Sequence, residues 1–185
     1  MAGIGHNSGR VDEPGKSWRT HVWAKARKDL MPRLPIEVIR RRVARARELG
    51  LPYKTYAGLR AASGDDLIGF MFSSNALDVM TRSAAVPAAK QSKINALRDA
   101  KTIGLAQGRV SPDQLTPPLD AAYAAPEPLA PWSQIRADLQ DIFAQTKKPA
   151  SRYVLICDTA LEREWAEAAR MVATLPAADY FEGTL

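Results

Sequence analysis

The run from Ser151 to Cys157, SRYVLIC, constrains the fold of this chain more than any other stretch. It reads as a buried strand, and the Thr159-Ala-Leu-Glu162 just after it is a capping box that opens a helix. A strand cannot stand alone, so this one must find a partner elsewhere in the chain. Residues 67–72, Leu-Ile-Gly-Phe-Met-Phe, offer a second candidate. They are apolar on both faces, as in a buried strand or a buried helix. Gly69 and the aromatics favour the strand, with Asn75 capping a short helix after it.

The remaining pattern is helical. Ser17 can cap a first helix that places Trp18, Val22 and Ala26 on one face. Pro32 and Pro35 break the chain, and a second helix runs from Ile36 to Leu49, where Gly50 stops it. Pro52 starts a third helix to about Ser63, with Gly64 as its stop. The three-residue turn Gly50-Leu51-Pro52 makes the pair a tight αα-hairpin. A weakly amphipathic helix follows over residues 88–105, with Ile94 and Leu97 inward. Residues 110–131 contain six prolines and read as an extended linker without regular structure. Beyond them a helix from Ser133 to about Thr146 buries Ile135, Leu139 and Ile142. The last helix carries Leu161, Trp165, Ala168, Val172 and Leu175 as one apolar stripe and ends at Pro176.

The expected fold is therefore mainly α. It comprises a disordered arm (1–16), a basic helical domain with the αα-hairpin (17–108), a Pro-rich linker (109–131) and a C-terminal α-β-α unit (132–185). That last unit contributes to a small sheet, and an α+β arrangement is the alternative.

At 185 residues and 46% hydrophobic content the chain can bury a core of its own. It has no apolar run of membrane-spanning length and no secretory h-region. The single cysteine, Cys157, cannot form an internal disulfide, which implies a reducing, cytoplasmic setting. Charge is unevenly spread. Residues 1–60 hold 14 basic and 5 acidic side chains, whereas residues 61–185 hold 12 and 15. A polyanion would therefore meet the N-terminal third.

The hairpin concentrates that charge. Ile36, Ile39, Val43 and Ala46 form one apolar stripe of its first helix, and Arg40, Arg41, Arg42, Arg45 and Arg47 fan around the rest. A fan suits phosphate contacts better than base readout, since the backbone needs charge and not a fixed pattern. The segment from Leu34-Pro-Ile-Glu to Gly50-Leu-Pro-Tyr-Lys-Thr resembles two kinds of bacterial DNA-binding hairpin, the helix-turn-helix and the ribbon-helix-helix. The first resemblance implies that Tyr53, Lys54, Thr55 and Arg60 lie on or near a reading helix. The second needs a basic strand that Pro32 and Pro35 would interrupt. The expected function is a DNA-binding regulator, acting as an oligomer on nucleic acid. Alternatives are an assembly protein holding an acidic protein partner through its basic arm and linker, and a basic-backed hairpin that only packs. Trp18 and Trp23 among basic residues fit either a single-strand stacking platform or core anchors.

Signals for catalysis are thin. His6 and His21 lack partners at metal-ligand spacing, so neither a metal nor a cofactor is expected. Cys157 closes an apolar strand and reads as a small buried thiol. The strongest enzymatic feature is the strand end at Asp158-Thr159, since α/β folds place ligands there. If residues 67–72 are also a strand, Ser73, Ser74 and Asn75 end it with polar groups in the same way. Two such ends side by side would form a phosphate- or nucleotide-binding crevice, provided the strands pair in parallel. Asp158 and Thr159 are also what a plain helix cap needs, and the acidic first turn would repel an anion, so the cap is the favoured reading.

Overall fold

The computed structural model describes residues 34–183. The expected readings of residues 1–33, including the arm, the helix from Ser17 and the roles of His6, Trp18, His21 and Trp23, lie outside them. From Arg40 onward the described residues form one compact unit.

The two apolar runs pair directly. Strand β1 (Gly69–Ser73) lies parallel to β4 (Tyr153–Cys157), with Phe70 opposite Val154 and Phe72 opposite Ile156. On the far side of β1 runs β2 (Lys101–Ala106), followed by β3 (Ala121–Ala124), and β5 (Ala173–Pro176) flanks β4. The sheet is five-stranded and all parallel, in the order β3-β2-β1-β4-β5. The mainly α expectation is thereby overturned: the fold is mixed α/β, with helices on both faces of a parallel sheet.

Side chains of successive residues leave a strand on opposite faces, so the central strands supply two cores. On one face Phe70, Phe72, Val154 and Ile156 pack with α1 (Ile36–Glu48), α2 (Tyr53–Ser63), α3 (Ala88–Asn95) and α6 (Ala177–Phe181). Those helices contribute Ala46, Tyr56, Leu59, Ile94, Ala177 and Tyr180. On the other face Met71, Ile103, Tyr153, Leu155 and Cys157 pack with α4 (Trp132–Thr146) and α5 (Ala160–Ala169). These bring Ile135, Leu139, Ile142, Phe143 and Trp165. Burial on both faces explains why β1 and β4 are apolar throughout.

Several elements are shorter than the sequence suggested. The helix over residues 88–105 stops at Asn95, and Lys101–Ala106 is β2. Residues 110–131 are not without regular structure, since they hold a 3-10 turn, Pro112–Leu115, and β3. The last helix ends at Ala169 because Arg170 adopts a left-handed conformation, φ +58°, and Val172 and Leu175 then belong to the segment around β5. The two expected glycine stops are found, with Gly50 and Gly64 both at positive φ after their helices.

Candidate functional site

Parallel strands connected through opposite faces leave a crevice where the chain order reverses, at their carboxyl ends. Here the reversal falls between β1 and β4. The ends of those strands are the residues flagged by the sequence: Ser73, Ser74 and Asn75 after β1, Asp158 and Thr159 after β4. A hydrogen-bonded bridge joins them. The fully buried Glu162 accepts from Asn75 Nδ2 at 2.9 Å through one oxygen. Its other oxygen accepts from the amides of Asp158 and Thr159 at 2.7 and 2.9 Å. Thr159 Oγ1 in turn accepts from the Glu162 amide, completing the capping box of α5. The cap reading of Thr159 is thus met, at the end of β4.

Next to this bridge, Ser74 Oγ donates to Gln107 Oε1 and accepts from the Gln107 amide, both at 3.2 Å, which ties the end of β1 to the exit of β2. After β1 the chain does not enter a helix. It turns tightly, with the Ala76 amide on Ser73 Oγ and the Val79 amide on the Ser74 carbonyl.

Above these residues opens a pocket of about 550 Å³. Ser74, Asn75, Gln107 and Thr159 line it, with Gly108 and the exposed Arg109 beside them. Ile135 and Trp165 are its buried wall, while Met80, Pro128, Leu129 and Leu161 frame the mouth. Met80, Leu129 and Leu161 are 70%, 86% and 52% exposed, three of the seven large apolar side chains left in solvent among the described residues. Exposed apolar groups gathered at one opening mark a binding site more strongly than the same groups scattered. Glu127 and Glu164 also reach the pocket.

On the basic hairpin, Arg45 is turned inward while several of its neighbours stay in solvent. Arg45 uses all five guanidinium donors internally. Nε meets Asp66 Oδ2 at 3.1 Å, Nη1 meets Glu48 Oε2 and the Arg98 carbonyl, and Nη2 meets the carbonyls of Leu67 and Asp99. Burial pulls its pKa down, yet Glu48 and Asp66 outweigh this and leave it above its usual value. Arg60 pairs with the same Asp66 at 3.5 Å, and Tyr56 donates to that carboxylate at 2.7 Å. Arg40, Arg41, Arg47, Tyr53 and Lys54 are exposed, and Arg42 and Thr55 are half-buried. Thr55 lies instead at a smaller cavity with Leu51, Leu175 and Tyr180.

Cys157, at the end of β4, is buried, and burial, with Glu162 nearby, raises its thiol pKa to about 11. Among the described residues no group of His, Cys, Asp and Glu is arranged to hold a metal ion, and no helix is long and apolar enough to cross a membrane. No protein-family model, curated protein or solved structure matches this chain.

The sequence pointed to the ends of β1 and β4 but not to Gln107, Arg109, Leu129 or Trp165 as pocket residues. The first two follow β2, which the helical reading of residues 88–105 concealed.

Proposed function

We propose that this chain is a small-molecule-binding α/β protein whose ligand sits in the carboxyl-end crevice between β1, β2 and β4. The observation that carries the reading is the parallel pairing of β1 with β4 at the strand-order reversal, beneath a pocket of about 550 Å³. That volume is in the range of small-molecule sites, and an apolar mouth over a few fixed polar groups is their usual make-up. The free, buried Cys157 fits a cytoplasmic setting. The test is a thermal-shift screen of a fragment library on wild type and on Leu161→Glu. Leu161 is half exposed, so the variant folds but carries a charge at the mouth. Fragments should raise the wild-type melting temperature by a few degrees at saturating concentration and leave the variant unmoved. Equal shifts in both proteins would rule the crevice out.

Nucleic-acid binding is the second reading, favoured by the exposed Arg41, Arg47, Tyr53 and Lys54 on α1 and α2. Its test is anisotropy of labelled duplex DNA across a salt series, with Arg41→Ala/Arg47→Ala as the variant. A steep salt slope that flattens in the variant supports it, and no binding at low salt removes it.

A further inference from the structure

Resting on the crevice reading above, we infer that the ligand is an uncharged organic molecule with an apolar body, and that the phosphate group common to such crevices is excluded. Carboxyl-end crevices usually take phosphates by offering the amides of a helix start and its dipole to the anion. In this chain the start of α5 already holds an anion of its own. The Glu162 carboxylate occupies the amides of Asp158 and Thr159 and also takes the Asn75 side-chain amide, so three donors at the two strand ends are spent. This carboxylate is wholly buried and already fills the donor positions at the joined strand ends.

The other strand end offers no cradle either. The turn after β1 bonds the amides of Ala76, Leu77, Asp78 and Val79 back onto Ser73, Ser74 and Asn75. At the rim, Glu127 and Glu164 outnumber Arg109, which makes the pocket lining net negative before Glu162 is counted. What remains to greet a ligand is the apolar side chains of Ile135, Leu161 and Trp165, the Arg109 guanidinium at the lip, and the Gln107 side-chain amide, whose Nε2 has no partner among the described residues. A flat apolar body against Trp165 with a neutral hydrogen-bonding group at the Gln107 end satisfies the apolar side chains and Gln107. A phosphate ester would find Arg109 alone, against Glu127 and Glu164.

The experiment compares β-naphthol with β-naphthyl phosphate by calorimetry on the full chain, with Leu161→Glu and Leu129→Glu as pocket controls. These two sites are exposed, so neither variant threatens the fold. The expected result is naphthol binding about tenfold or more tighter than its phosphate ester, lost in both variants. A phosphate ester that binds as tightly as naphthol, sensitively to Leu161→Glu, overturns the exclusion of phosphate and leaves the crevice reading standing. Absence of pocket-dependent binding by either compound overturns the crevice reading and this inference with it.

Discussion

Arg45 sits on the basic helix with its side chain only 16% exposed, which separates its role from that of its neighbours. It gathers Asp66, Glu48 and three carbonyls from the loops before β1 and before β2, so it fastens α1 to the sheet. Arg45→Ala should leave Asp66 and those carbonyls short of donors and lower stability by about 2–4 kcal/mol, read by urea denaturation. Arg41→Ala, at an exposed position one turn earlier, should leave the midpoint where it was. A DNA-binding test that mutated Arg45 would therefore report unfolding. Cys157 gives a second residue-level expectation. Burial raises its pKa from 9.0 to about 11, so the folded chain holds the thiol proton more tightly than the unfolded chain does. The resulting contribution to stability is complete below about pH 9 and is lost as pH rises towards 11. At neutral pH a disulfide reagent should modify the unfolded chain quickly and the native chain very slowly. Rapid modification of native protein would contradict the burial. Single residues of the site were legible as well: Thr159 and Glu162 announce their cap, and Ser73 to Asn75 announce a polar strand end. What Asn75 and Glu162 do to each other was not legible, because their contact spans 87 positions and depends on the sheet.

At the scale of elements, glycine has two opposite meanings here. Gly69 opens β1 where a Cβ would lie 2.0 Å from the Lys101 carbonyl of β2, so no side chain fits unless the strands part. Gly69→Ala should cost about 3 kcal/mol or more. Gly58, in the exposed middle of α2, has nothing near its would-be Cβ, and Gly58→Ala should stabilise by about 0.5–1 kcal/mol. Chemical denaturation of both variants checks the pair, and a reversed order would refute the strand contact. Elements with local punctuation were readable from sequence. α1 and α2 have Gly50, Pro52 and Gly64, β4 has its apolar run, and α5 has its capping box. The missed strands lack such marks. β2 contains a glycine and follows a helix by five residues, so it continued an apparent periodicity. β3 is Ala-Ala-Tyr-Ala between prolines, with weak strand propensity and only one neighbour in the sheet. β5 was hidden because α5 ends on Arg170 in a left-handed conformation without a glycine to signal it.

At the scale of the whole molecule, topology decides more than composition does. An all-parallel sheet read as β3-β2-β1-β4-β5 has one reversal of strand order, and the pocket opens at its carboxyl edge. The net charge of the N-terminal third suggested a polyanion, yet charge carries no information on strand order, and the crevice is assembled from residues 74–165. This is why the architecture and the far wall of the site could not be read locally, although the two strands that frame it could. The decisive measurement is an amide NMR map of the 15N-labelled chain titrated with a neutral fragment such as β-naphthol. The result expected is a cluster of shifts at Ser74, Asn75, Gln107 to Arg109 and Thr159 to Trp165, with α1 and α2 unmoved. Shifts confined to α1 and α2, or none at all, would contradict a carboxyl-end binding site.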